Sequence, residues 1–301
     1  MPIVDRLTDL IGHTPVLRLQ RLGPPNVELL AKAEFLNPGG SIKDRPIREI
    51  LDAAELRGEL KPGAVLIEAT SGNTGISLAM LCAERGYSCV LVMPEDMSIE
   101  RRRILRAYGA RVELTARELG MAGAMARAKE LAASLEGQNV LMPRQFENAD
   151  NCRAHEKTTA VEILDDLDGK LDVLVGGIGT GGSLTGTARV LRATLPNLRV
   201  VAVEPQKAQA LAGKPFQPHS IQGIGAGFVP PLVERALISD VVAVHDDEAL
   251  EMAARLAQRF GLLVGPSSGA NLVAAVKEAE KAEPGTRILT FLCDSGERYL
   301  A

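Results

Sequence analysis

The sequence has 301 residues and only four cysteines and four histidines, and neither type is grouped. Cys82, Cys89, Cys152 and Cys293 form no C-x-x-C pair and stand at no zinc-like spacing from histidine. His13, His155, His219 and His245 make no H-E-x-x-H or i, i+4 pair. A metal site and a local Cys–His nucleophile are therefore not expected, and the cysteines read as small buried apolar residues. No window approaches the roughly 20 apolar residues that span a bilayer. The start, MPIVDRLTDLIG, lacks the basic and apolar regions of a secretory signal, so no membrane contact and a cytoplasmic location are expected. A basic excess is missing too: net charge is −4, which argues against nucleic acid as the main partner. The one basic run, Arg101-Arg102-Arg103, follows Ser98 in a helical pattern and reads as a solvated helix face. There are no internal repeats and no low-complexity stretch.

What is present is an ordinary globular composition, 46% hydrophobic and 24% charged, in a length that suits two domains or one large α/β unit. Short apolar runs at 64–68, 88–92, 111–114, 139–141, 171–176, 199–204, 241–244 and 286–292 predict strands. Amphipathic stretches near 46–57, 75–85, 98–108, 120–135, 150–165, 183–195, 246–259 and 269–282 predict helices. Pro46 and Gly58 bracket one helix, Ser98 and Asp246 suit N-caps, and Gly86, Gly109 and Gly261 suit the position after a helix end. The alternation predicts mostly parallel sheets covered by helices. Residues 205–240, rich in Pro, Gly and Gln, read as a functional loop region.

Three glycine-bearing stretches concentrate the chemistry. Asn37-Pro-Gly-Gly-Ser-Ile-Lys43-Asp-Arg45 places a lysine after a tight turn, but it is not a P-loop, which disfavours ATP. Thr70-Ser71-Gly72-Asn73-Thr74-Gly75 gathers small polar groups at a helix N-terminus, a place that suits a carboxylate or phosphate. Gly176 to Ser183 also joins a strand to a helix, and its backbone can cradle a phosphate. It contains Gly177-x-Gly179-x-x-Gly182, formally a dinucleotide fingerprint, with Glu204 ending the next strand. An NAD-dependent oxidoreductase would use Glu204 on a ribose; otherwise Glu204 is a strand-end residue. That reading leaves Lys43, the Thr70–Gly75 stretch and Ser267 without roles.

These stretches occur in order with Gly12-His-Thr-Pro15, Gln145-Phe146, Gln222-Gly-Ile-Gly-Ala-Gly-Phe228, Gly265-Pro-Ser-Ser-Gly269 and Ser295-Gly-Glu-Arg-Tyr-Leu300. Together they resemble the cysteine synthase (O-acetylserine sulfhydrylase) family of fold-type II pyridoxal-phosphate enzymes, related to the tryptophan synthase β-subunit. The resemblance implies an α/β fold of two domains with parallel-type twisted sheets flanked by helices, the cofactor lying in the interdomain cleft. It assigns 1–46 and 150–301 to a large domain and 47–149 to a smaller mobile one. Lys43 is then the catalytic lysine, in Schiff-base linkage to pyridoxal 5′-phosphate. Gly179, Thr180, Gly181, Gly182 and Ser183 form the cup for the 5′-phosphate, and Gly177 becomes a turn residue whose place in the fingerprint is coincidence. Asn73 contacts the ring hydroxyl. Ser267 faces the pyridine nitrogen, with the part of Ser268 left open. Thr70, Ser71, Thr74 and Gln145 hold the substrate carboxylate, and Gly223 is a further substrate contact.

The implied reaction replaces the acetoxy group of O-acetylserine with sulfide through an α-aminoacrylate, giving L-cysteine and acetate. A cystathionine β-synthase-like enzyme or an O-phosphoserine sulfhydrylase stays as the alternative. The latter needs a cation for its leaving phosphate. The Gln222–Phe228 loop carries none, and Lys207, Lys214 or Arg48 are the other candidates. The family also implies a homodimer and, in some members, binding of the C-terminal tail of serine acetyltransferase.

Overall fold

The computed structural model describes residues 3–135 and 137–300; Met1, Pro2, Glu136 and Ala301, which the domain ranges above include, lie outside the described residues. The strands are β1 Val16–Arg18, β2 Glu28–Lys32, β3 Val65–Ala69, β4 Ser88–Pro94, β5 Arg111–Thr115, β6 Val140–Leu141, β7 Val173–Gly177, β8 Arg199–Pro205, β9 Asp240–Val244 and β10 Arg287–Phe291. They form a six-stranded sheet, β1-β2-β10-β7-β8-β9, and a four-stranded sheet, β5-β4-β3-β6. Only β1 and β2 pair antiparallel; every other pairing is parallel. Parallel pairs need long crossovers. Helices α1 Asp44–Leu56, α2 Asn73–Arg85, α3 Ile99–Ala107, α4 Gly120–Ser134, α5 Asp150–Ala154, α6 Ala160–Asp166, α7 Gly182–Thr194, α8 Asp246–Phe260 and α9 Pro266–Ala279 provide them.

The strands read as unbroken apolar runs because both faces of each sheet are buried. On β7, Val173 and Val175 point into one core and Leu174 into the other. On β3, Leu66 and Ile67 divide in the same way. The sequence predicts β3 to β10 and misses β1 and β2. The first is three residues long. The second, Glu-Leu-Leu-Ala-Lys, has charged ends and no β-branched residue. Helix α1 starts two residues before Pro46, which costs nothing because the first four N–H groups of a helix have no partner inside it. Helix α9 starts at Pro266 rather than near 269. The predicted helix over 150–165 is interrupted by a π-helical turn, His155–Thr159. Ser98 caps α3 by accepting from Arg101 N at 3.2 Å, and Gly86 and Gly261 end their helices in left-handed geometry. Asp246 is not the cap of α8; that position is His245. Asp246 instead accepts from Lys207 and from Ser220 N, and so fastens the loop region to α8.

The segment before α1 is held by a buried cage of charge. Fully buried Arg45 reaches Glu34 through Nε at 2.7 Å and Nη2 at 2.8 Å. The same guanidinium donates to both oxygens of Glu162, at 2.6 and 2.8 Å. Thr14 donates to Glu34, Asn37 Nδ2 donates to Glu34, and Asn37 Oδ1 accepts from Gly12 N. Fully buried Lys32 adds ion pairs to Glu162 at 3.0 Å and Asp166 at 2.8 Å. Two of the sequence motifs, Gly12–Pro15 and Asn37–Arg45, thus meet in one cluster.

Burial pushes the Glu162 carboxyl up, but the Arg45 hydrogen bonds and charge outweigh it and hold it down at about 2. A depressed carboxyl contributes stability that is complete above its unfolded value, about 4.3, and is lost as pH falls toward 2. Urea unfolding of Glu162→Gln should therefore show a weaker loss of stability over that acid window than the wild type. Arg45→Met leaves Glu34 buried without its cation and Glu162 with Lys32 alone, and should cost about 3–5 kcal/mol in the same assay. A loss below about 1 kcal/mol would show that the cage is not the anchor of this segment.

Candidate active site

A cavity of about 260 Å³ opens between the two sheets. It lies at the C-terminal ends of their parallel strands, the usual ligand position in open α/β sheets. The turn after β3 leads into α2, the turn after β7 leads into α7, and Cys293 follows β10. Four helices direct their N-termini here: α1 with Lys43 at its cap position, α2 starting at Asn73, α7 starting at Gly182, and α9 with Ser267 as its second residue. None of the four N-caps makes a side-chain capping bond. Free N–H groups and positive dipole ends make the cavity a site for anions.

Lys43 lines the cavity. Among the described residues no carboxylate lies within ion-pair distance of it. Burial lowers the pKa of its ammonium, while Cys293 and Asp294 oppose that shift. A desolvated amine of this kind is a better nucleophile and base at neutral pH than a surface lysine. Its neighbour Asp44 fixes the turn by accepting from Gly39 N at 2.6 Å and from the Ser77 hydroxyl. Burial raises the Asp44 carboxyl to about 6 against those two hydrogen bonds.

In the turn from Ile178 to Ser183, the glycines leave no room for side chains of their own beside the cavity. A Cβ on Gly179 would lie 2.4 Å from the Gly223 carbonyl oxygen, and one on Gly182 would lie 2.0 Å from Asn151 Oδ1. Gly181 has φ +85°, which favours glycine. Asn151 in turn donates to Thr180 Oγ1 at 3.0 Å and to the Gln145 carbonyl at 2.8 Å, so the neighbour that forbids a side chain is itself held. Gly177 is not a turn residue but the last residue of β7, where a Cβ would meet Ile224 at 2.7 Å. A backbone cradle, hydroxyls at Thr180 and Ser183, and an amine across the cavity fit a phosphorylated aldehyde cofactor.

Most of the sequence-predicted residues are brought together here. Lys43, Thr70, Asn73, Thr74, Gln145, Gly179, Thr180, Ser183, Gly223 and Ser267 line the cavity. Thr74 donates to Gln145 Oε1 at 2.6 Å, joining two of the expected carboxylate contacts. Gly181 and Gly182 lie just behind the wall, and Ser71 shows its carbonyl to Arg101 rather than its side chain to the cavity. Adjacent serines on a helix face about 100° apart. Ser267 lines the cavity, whereas the Ser268 hydroxyl is buried and accepts from Cys293 N at 2.8 Å.

Two lining residues escape the sequence reading. Arg101 is not a solvated face: it donates to Gln222 Oε1 at 2.7 Å and to Ser71 O, and it stacks over Tyr299. Cys293 is not merely a core residue, since it borders the cavity; burial raises its thiol to about 12, so it is neutral. Their types and spacing carry no signal, because only the fold brings α3 and the residues after β10 to the cleft. Lys207, Lys214 and Arg48 are engaged elsewhere, with Asp246, Gln209 and the Ile11 carbonyl. Glu204 is buried and accepts from Leu211 N at 2.9 Å; it ties down the start of the loop region and does not border the cavity. Among the described residues no group of acids, histidines and cysteines could hold a metal ion, and no helix is long and apolar enough to cross a membrane.

This fold and site define a pyridoxal-phosphate dependent enzyme, and the family of that description matches residues 7–294. A cysteine synthase of Staphylococcus aureus is 43% identical over 300 residues, 99% of this chain and 96% of that one. A crystal structure of an O-ureido-L-serine synthase superposes with TM-score 0.96 at 44% identity, covering 100% of this chain and 94% of the other. The cysteine synthase of Entamoeba histolytica does so with TM-score 0.96 at 38% identity, covering 100% and 90%. The chain belongs to the cysteine synthase family of pyridoxal-phosphate dependent enzymes.

The glycine cradle yields a direct test. Gly179→Ala sets a methyl group against the Gly223 carbonyl, and backbone cannot move aside cheaply. Titration with pyridoxal phosphate should show affinity reduced at least about tenfold, the worth of one or two lost hydrogen bonds. Unchanged affinity would mean that this loop does not hold the phosphate.

Proposed function

We propose that the protein is a cysteine synthase, replacing the acetoxy group of O-acetyl-L-serine with sulfide to give L-cysteine and acetate. The observation that carries the reading is the placement of Lys43: an amine with no carboxylate in ion-pair contact among the described residues, in a cavity at which four helix N-termini converge. Pyridoxal phosphate, when bound, draws electrons from the substrate Cα and so lets the β-substituent leave.

Each residue then has a task set by its position. Lys43 is the attachment point for the cofactor carbonyl. Beside the Cα of a bound substrate, the Lys43 amine would take the Cα proton and later return it. The backbone of Gly179, Gly181 and Gly182, with Thr180 and Ser183, holds the phosphate. Ser267 offers the ring nitrogen a neutral hydroxyl, which does not enforce a protonated ring and so restrains competing carbanion chemistry. Thr70, Ser71, Thr74 and Gln145 would receive the α-carboxylate at the α2 N-terminus, with Gly223 as a further substrate contact.

Residues 47–149, which contain the four-stranded sheet, act as a smaller mobile domain that closes over the substrate and excludes water. Residues 1–46 and 150–301 form the larger one. The Arg101 bonds to Ser71 and Gln222 span the cavity mouth and support such a closed state. A homodimer, the cytoplasm as location, and a serine acetyltransferase tail as a partner belong to the same reading by family likeness.

The purified protein should be yellow, and borohydride should bleach it while fixing the cofactor to Lys43. O-acetylserine with sulfide should turn over faster than serine with homocysteine; the reverse order would refute the assignment. Lys43→Ala should lose turnover by several orders of magnitude yet keep its fold by circular dichroism.

A further inference from the structure

The residues that follow β10 cross the cleft and grip Asn73, the first residue of α2. Asn73 Nδ2 donates to Asp294 Oδ2 at 2.6 Å, and Asn73 Oδ1 accepts from the Arg298 guanidinium. The second arm of Arg298 donates to the Gly39 carbonyl, four residues before Lys43. Asp294 is pinned in its turn. Its side chain also accepts from the Tyr299 hydroxyl, its carbonyl accepts from Gly265 N at 3.2 Å, and the flanking Cys293 O and Ser295 N bond to Ile42 and Gly40.

These contacts leave the Asn73 amide one orientation. Turned over, its oxygen would face the Asp294 carboxylate and its NH₂ would face the Arg298 guanidinium, two repulsive contacts in place of two charge-assisted hydrogen bonds. An amide nitrogen carries two N–H groups. One is spent on Asp294, the Tyr299 phenol stands beside the same amide, and Asn73 itself borders the cavity.

We infer that Arg298 is a positioning residue: with Asp294 it locks the Asn73 amide so that the second N–H points into the cleft, as a donor to the phenolic oxygen of the cofactor ring. The inference rests on the reading of Asn73 as that donor. Arg298 does not line the cavity, so its influence on the ring passes through Asn73. A donor at the phenolic oxygen favours the ionised ring form, which absorbs in the visible, over the neutral form, which absorbs in the near ultraviolet.

The test compares reconstituted wild type with Asn73→Ala, Arg298→Met, Arg298→Gln and the double variant Asn73→Ala/Arg298→Met. Absorption spectra, the dissociation constant for pyridoxal phosphate and Tm are recorded for each. Asn73→Ala and Arg298→Met should both move intensity from the visible to the near-ultraviolet band and weaken cofactor binding about tenfold. The double variant should go no further than Asn73→Ala, because coupled residues are not additive. Arg298→Gln keeps an N–H for the Asn73 oxygen and should restore much of the wild-type spectrum. If Arg298→Met does not fold, Arg298→Lys carries the comparison, with a partial shift expected because it keeps the charge and loses the fork. Arg298 variants that lower Tm and leave the spectrum as in wild type would overturn the inference, as would spectral shifts that add in the double variant. An unchanged spectrum in Asn73→Ala itself would instead overturn the reading of Asn73, and the inference with it.

Discussion

The forked contact of Arg45 with Glu34 and Glu162 is the constraint on which the site depends. Taking a guanidinium and two carboxylates out of water is costly, and only near-complete hydrogen bonding offsets that cost. The geometry that satisfies it is narrow. It sets the segment after β2, the start of α1 and the first turn of α6 at fixed separations. Lys43 is two residues from Arg45, so the placement of the reactive amine follows from the placement of the guanidinium. Hydrophobic packing alone would leave that turn free to slide; a cage of directional bonds does not.

Around this anchor, electrostatics comes largely from backbone. Lys43 and Arg101 are the cationic side chains that border the cavity, and Arg101 is engaged with neutral oxygens. The attraction for anions comes from the ends of α2, α7 and α9. Such a field needs no side-chain charge that could itself pick up protons. The close approach of Gly179 to Gly223 and of Gly182 to Asn151 keeps side chains out of that turn.

Much of this was legible in the sequence, and the reasons differ from place to place. Buried parallel strands announce themselves as apolar runs, and helix ends announce themselves through Ser98, Gly86 and Gly261, because those signals are local. The glycine stretches were legible because Gly40 and Gly181 adopt left-handed backbone and Gly179 and Gly182 have no room for a Cβ. β1 and β2 were hidden by brevity and by a buried lysine, Lys32, whose ion pairs come from residues 162 and 166. Arg101, Cys293 and Glu204 were misjudged or left open for a related reason: their partners lie far off in sequence or in irregular loop, and spacing carries no trace of either. The dinucleotide-like fingerprint shows the limit of a short window. Its glycines meet real steric demands, but the acid that would have completed it is tied to Leu211.

The grip on Asn73 by Asp294 and Arg298 joins positions more than two hundred residues apart. On the ribosome the lysine turn, the substrate stretch and the glycine cup all emerge long before those two partners. A nascent chain can thus form the four-stranded sheet first, while the larger sheet waits for β10 to enter between β2 and β7 and its cleft still lacks one wall. Cofactor capture in its final geometry belongs to the finished polypeptide, and a chain cut short after β9 would lack the central strand of the larger sheet as well as one wall of the cleft.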